Sequence, residues 1–329
     1  MYGKFAKKGG GALGNAKISG KEKSRKKGFI YELKRKKILF MMLIPAIVFF
    51  TLNSYVPMVG IYYAFTKFNF QGGLFKSPFV GMDNFRFLFE SGKLKQLTLN
   101  TVGYNVVFIL SANILEVFFA ILLSRVAGRI FKKVSQSIIF LPYFISYVVL
   151  NAIVFAILNY DSGYINTMLV SLGRERFDFY GTPWLWKIVL TLCYLWKNVG
   201  YGTVVYLAAI TGISEEYYEA AKIDGANIVQ QITRITIPLL VPTFVILLIF
   251  AVGGIMRGQF DLFYQVIKNN GVLFEATDIL DTYVYRSLKQ NFDVGMGTAA
   301  GLYQSVFGLI IIMLTNTIVK KLNPDYALF

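Results

Sequence analysis

Six apolar runs, each long enough to cross a bilayer, limit what this chain can become more than any other feature. A helix needs about 20 apolar residues to span the hydrocarbon core, and such runs fall at 38–65, 98–124, 134–158, 186–210, 235–256 and 298–319. Backbone groups in lipid must bond within the segment, so these runs are expected as helices. The alternation of apolar and polar residues that marks a barrel is absent. With 55% hydrophobic and only 16% charged residues in 329, the composition lies outside that of ordinary soluble domains. The expected fold class is an all-α membrane protein with six transmembrane helices.

The net charge of +16 is unevenly spread. Residues 1–37 carry thirteen Lys or Arg against Glu22 and Glu32. This segment's only aromatic residues are Tyr2, Phe5, Phe29 and Tyr31, and it carries no motif of a nucleic-acid reader. It is expected to be a largely disordered basic tail drawn to anionic lipid by its charge, with no nucleic acid as partner. Summed over alternate loops, the side holding both termini carries 21 Lys and Arg and the other 12. The positive-inside rule therefore puts both termini in the cytoplasm. Tyr62, Tyr63, Phe65, Trp184 and Trp186 sit where spans meet headgroups and are expected as interfacial anchors. Pro45, Pro57, Pro142 and Pro242 lie in or beside spans, where a kink is tolerated.

Cys193 is the one cysteine and there is no histidine. Intrachain disulfides, thiolate zinc cages, His-dependent triads and imidazole proton shuttles are thereby excluded. Residues 14–21 do not make a phosphate-binding loop: the spacing is wrong, and Glu22 stands where Ser or Thr would hold magnesium. The first apolar run is too long for a signal-peptide core and is expected to be retained.

The segment 211–234, between the fourth and fifth runs, reads as a helical bracket. Ser214 is a good N-cap, and Glu215 and Glu216 suit the positive end of a helix. Gly225 can take the left-handed conformation that ends such a helix. Asn227 can cap a second helix leading to Pro238. Ala220 and Ala221 would let another surface approach closely, with Tyr217, Tyr218 and Ile223 around them and Glu219 at the rim. The alternative is a connecting loop whose alanines merely favour helix, and spacing alone leaves both standing.

The pattern Glu219, Ala220, Ala221, three residues, Gly225, nine residues, Ile235, one residue, Ile237, Pro238 resembles the signature loop of permease subunits of binding-protein-dependent ABC importers. Ile237 stands where that family usually has Leu. The similarity covers most of 98–322, including Leu141, Pro142, Tyr143, Phe144, Ile145 and Ser146. Phe79, Val80, Gly81, Met82, Asp83, Asn84 and Phe85 resemble the sugar branch, and the basic tail ending at Lys36, Lys37 and Ile38 is similar to its polysaccharide and oligosaccharide permeases.

The resemblance implies a type I importer permease fold in a bacterial cytoplasmic membrane, with Glu219, Ala220, Ala221, Asp224, Gly225, Ile235 and Pro238 in a cytoplasmic coupling loop. It implies a second, related permease, two cytoplasmic ATPase subunits, an extracellular or periplasmic solute-binding protein and a sugar cargo. The chain itself is then no enzyme and holds no cofactor, with ATP and magnesium on the ATPase. The domains so read are a basic tail 1–37, a first helix and outer loop 38–97, a permease core 98–322, and a C-terminal tail 323–329.

Charge in hydrocarbon is costly, so Glu116 and Lys197 ask for a reason. Tyr194, Lys197, Asn198 and Tyr201 recur at helical spacing and form one polar and aromatic stripe. Such a stripe can bond sugar hydroxyls and stack on ring faces; the other reading buries it against a partner permease. Asn113, Asn100, Tyr104 and Asn105 on the second span are candidates for the same cavity. Glu116 and Lys197 lie about 12 and about 20 Å from the bracket ends of their spans, which argues against their pairing. The loop 257–297 is either a seat for a binding protein or a solvated re-entry. Two further functions compete with the importer: an ion-coupled transporter carrying protons on Glu116, and a membrane-embedded glycosyl transferase using scattered acids with a divalent ion. An ATPase-inactive partner stops uptake only in the importer.

Overall fold

The computed structural model describes residue 31, residues 35–322 and residue 324. The basic tail, apart from its last few residues, and nearly all of the C-terminal tail lie outside the described residues. The chain divides between Met58 and Val59. In the first part, α1 (Lys37–Phe50) is apolar on every side and carries Pro45 inside it. Ahead of Pro57 the winding changes to a π turn at Thr51–Tyr55 and then to a 3-10 run at Val56–Phe65. Proline supplies no N–H and its ring crowds the carbonyl four residues back, which accounts for the change.

The second part is built on two long helices, α3 (Lys93–Arg125) and α7 (Pro183–Thr211), which pack along one another more extensively than any other pair. A short helix α2 (Asp83–Glu90) precedes α3. Between α3 and α7 come α4 (Arg129–Phe140), α5 (Tyr147–Leu158) and α6 (Tyr164–Ser171). After α7 follow α8 (Glu215–Ile223), α9 (Ile228–Gln231) and α10 (Ile237–Gly253). A cap of α11 (Phe260–Ile267) and α12 (Leu280–Lys289) leads to α13 (Val294–Leu322). Among the described residues, five helices are long and apolar enough to cross a membrane, or six if a bent pair is one span.

That pair corrects one expectation. The run 134–158 is not a continuous helix: α4 with the 3-10 turn Leu141–Phe144 meets α5 at 94°. Pro142 ends regular winding. Ser146 then starts a new helix, its extended backbone and hydroxyl accepting from the Val149 N–H as an N-cap does. The fifth span differs too. Its helical run begins at Ile228 and passes through a π turn, Ile232–Thr236, so the bracket's second arm is continuous with the span.

Trp184 is exposed, but Trp186 is fully buried and its indole N–H donates to the Phe179 carbonyl at 2.9 Å. Trp186 is therefore a core residue, because helical spacing sets it on the inward face of α7 with Leu190 and Cys193. Around it Tyr104, Phe108, Phe263 and Leu273 close one core. A second core near the bracket joins Ala120, Leu123, Tyr206, Leu207, Ile210 and Leu240.

The loop 257–297 folds into a helical cap tied down by one face of α3. The Gln96 amide donates to the carbonyls of Phe274 and Glu275, and Asn100 to those of Glu275 and Asp278. The Tyr104 hydroxyl donates to Ala276, and Asn105 to Ile255 and Arg257. At its centre the buried Asp278 carboxylate meets Arg286 at 2.6 Å and Lys93 at 3.1 Å. Burial pushes the Asp281 carboxyl up, an effect partly offset by the Gly258 N–H and the Gln304 amide.

Candidate functional site: a helical bracket and a broken span

The bracket forms for local reasons. The Ser214 hydroxyl accepts from the Glu216 N–H and starts α8, with Glu215 and Glu216 in its first turn and Lys222 in its last. Gly225 ends it at φ +77°. The Ala226 N–H reaches back to the Ala221 carbonyl at 2.8 Å and the Gly225 N–H to that of Lys222 at 3.1 Å, the two bonds of a Schellman motif. Asn227 and Gln230 then exchange side-chain and backbone bonds in a capping box that opens α9.

The bracket exposes several large apolar side chains among its charged ones. Ile223 is 87% exposed, and Tyr217, Ile228 and Val229 are exposed with it. Ala220 and Asp224 are exposed and Ala221 half-buried, so small side chains lie among larger apolar ones. Glu219 is exposed as well. It lines a cleft of about 370 Å³ between α8 and the ends of α3 and α7, together with Arg125, Lys132 and Lys222. Ile235 lies in the π turn, and Pro238 in the first turn of α10.

Sequence reasoning counted Arg125 only as a positive charge. Its guanidinium donates to the Gln231 side-chain oxygen at 3.2 Å and lies 5.0 Å over the Tyr218 ring. Gln231 is buried and donates to the Ala226 carbonyl at 3.1 Å, while the Tyr218 hydroxyl sits 3.0 Å from that of Thr236. One polar cluster thus joins the end of α3, both bracket helices and the start of the α10 span. Gln231 lies among Gln230, Thr233, Arg234 and Thr236, so nothing local in the sequence singles it out.

Along α7 the stripe is not uniform. Tyr201 is 53% exposed and Tyr194 and Asn198 are half-buried. Tyr194 stacks on Phe108 with ring centroids 4.1 Å apart, and the Asn198 amide donates to the Tyr194 carbonyl. Lys197 turns away to the break between α4 and α5. Asn113 is buried and accepts from the Tyr206 hydroxyl at 2.7 Å. Asn100, Tyr104 and Asn105 are committed to the cap. The Glu116 carboxylate rests against the backbone of Gly202, and among the described residues it forms no ion pair with Lys197.

Residues 116–324, most of the part just described, match the family described as binding-protein-dependent transport system inner membrane component. The chain belongs to this family. The permease is 33% identical over 307 residues to the polygalacturonan/rhamnogalacturonan transport system permease protein YteP of Bacillus subtilis, covering 92% of this chain and 94% of that one. It is 27% identical over 275 residues to the trehalose/maltose transport system permease protein MalF of Thermococcus litoralis, covering 83% and 90%. Among solved structures, the permease superposes on a chain of a bacterial ABC transporter involved in the import of the acidic polysaccharide alginate. The TM-score is 0.81 at 31% identity, covering 89% of this chain and 99% of that one. A second structure of a bacterial alginate ABC transporter, in complex with an alginate pentasaccharide-bound periplasmic protein, matches with a TM-score of 0.80 at 31% identity, covering 89% and 98%. The all-helical permease fold expected from the sequence is the fold observed.

Proposed function

We propose that this permease is one half of the membrane path of an ATP-driven importer for oligosaccharides or polysaccharides, and that its bracket docks into a cytoplasmic ATPase. The observation that carries this reading is the bracket's outward apolar surface of Tyr217, Ile223, Ile228 and Val229 around Ala220, held between two membrane-length helices. A surface of that kind in water is costly unless a partner covers it. Both termini are then cytoplasmic, in line with the charge distribution. A second, related permease completes the path, and two ATPase chains bind ATP and magnesium. A solute-binding protein delivers cargo, as the complex reported for the alginate transporter suggests.

Tyr201, with Tyr194 and Asn198 behind it, offers cargo a ring face and amide or hydroxyl bonds, which is how saccharides are held. The relatives favour a saccharide, and acidic polymers are the first to try. The test is affinity purification through this chain, followed by transport in proteoliposomes. Co-purification of an ATPase and a second permease, with uptake abolished by an inactive ATPase, is expected. Uptake that persists without the ATPase but stops with an uncoupler would replace this reading with ion coupling.

A further inference from the structure

The break in the third span leaves backbone carbonyls without helical partners, and an unmet carbonyl within a membrane is costly. Lys197 meets two of them. Its Nζ donates to the Tyr143 carbonyl at 2.7 Å and to that of Ile145, the two residues that flank Phe144 at the corner. The ammonium also faces the rings of Tyr147 at 4.9 Å and Tyr143 at 5.6 Å. The residue is 8% exposed, and no carboxylate pairs with it among the described residues. An ammonium has three donors and no acceptor, so it suits a cluster of carbonyl oxygens and aromatic faces. One turn along α7, Gly200 lets the end of α4 come so close that an added Cβ would meet the Ile139 carbonyl oxygen at 2.2 Å.

The corner so held presents an aromatic surface. Tyr143 stacks on Phe140 with centroids 5.5 Å apart and on Tyr201 at 5.2 Å, with interplanar angles of 12° and 21°. Phe144 stands edge-on to Phe140 and is exposed. Tyr201 is the exposed member of the stripe, and its neighbour Tyr143 is oriented by the carbonyl that Lys197 grips.

We propose that Lys197 is a positioning residue: by clamping the carbonyls of Tyr143 and Ile145 it fixes the break of the third span and holds Phe140, Tyr143 and Tyr201 as one stacked platform for the saccharide. This rests on the proposed path, and it adds a residue that acts on cargo only through others. A charge in the membrane is thereby explained without contact to cargo.

The test uses the complete transporter, with Cys193→Ala, Ile138→Cys and Val148→Cys carrying nitroxides on the two sides of the corner. Distance distributions by pulsed electron resonance are read alongside uptake of galacturonate oligosaccharides. Lys197→Met is expected to broaden the distribution and raise the KM for uptake at least fivefold with a much smaller change in maximal rate. Lys197→Arg, which keeps charged donors, restores most of both. An unchanged distribution in Lys197→Met overturns the proposal. So does a broadened one with unaltered KM while Tyr201→Ala raises it. If Tyr143→Ala and Tyr201→Ala both leave uptake unaltered, the path itself falls and this inference with it, an outcome distinct from failure of the clamp alone.

Discussion

The guanidinium of Arg125, the last residue of α3, lies 5.0 Å over the ring of Tyr218 in α8 and so fastens a membrane-length helix to the bracket. Because Tyr218 in turn reaches Thr236 and Arg125 reaches Gln231, the bracket is tied to α3 as well as to the two helices that continue from it. A bracket fixed at three points moves its spans when it is moved.

Replacing Arg125 with Ala is expected to lower uptake per ATP hydrolysed while the ATPase still co-purifies. Arg125 itself is exposed, so the loss of stability is small, about 1 kcal/mol or less. Coupling, measured as sugar moved per phosphate released, is the quantity that changes. An unchanged ratio would remove Arg125 from the linkage.

Gly225 turns the chain at φ +77° with open space where a Cβ would go. The obstacle to substitution is conformational, not steric: an L-residue in this region costs about 1–2 kcal/mol. Gly225→Val is expected to loosen the Schellman turn, speed amide exchange at Gly225 and Ala226, and reduce uptake. Gly225→Asn, which tolerates the left-handed region, retains more of both. Equal behaviour of the two variants would argue against the turn as the critical element.

The cap depends on Asp278, whose buried carboxylate receives Arg286, Lys93 and the Thr282 hydroxyl. Asp278→Ala leaves two cations without their anion, a change that typically costs about 3–5 kcal/mol. Thermal unfolding of the purified complex should shift down by several degrees, more than for Asp293→Ala. No shift would mean the cap is held without the Asp278 ion cluster, by its apolar contacts and the hydrogen bonds from α3.

Asp281 sets a pH dependence. Burial raises its folded-state pKa, so the folded protein holds that proton more tightly than the unfolded chain does. Its stabilising contribution is complete below the unfolded value of about 3.9 and is lost as pH rises through the raised one. Asp281→Asn is expected to flatten the fall in melting temperature over that interval. A wild-type slope in the variant would assign the dependence elsewhere.

The bracket was legible in the sequence because its signals are local: Ser214, Gly225 and Asn227 each act within a few residues of themselves. The helical fold was legible from the length of the apolar runs. The break at Leu141–Ser146 was only half legible. Pro142 marks a kink, but a 94° corner needs the carbonyl partner that Lys197 supplies from more than fifty residues away. The facing of Asn100, Tyr104 and Asn105 could not be read either, since their partners are carbonyls of the cap some 150 residues or more downstream. Trp186 read as an interfacial anchor because one residue type serves both core and interface.

The most direct test of the account is uptake of an oligosaccharide, delivered by its binding protein, into proteoliposomes that hold the complex purified through this chain. Uptake is predicted to require ATP on the bracket side and to vanish when Ala220→Arg blocks the bracket surface, the chain itself remaining assembled with the second permease. Transport that proceeds without nucleotide, or a bracket that cross-links only to reagents on the binding-protein side, would contradict it.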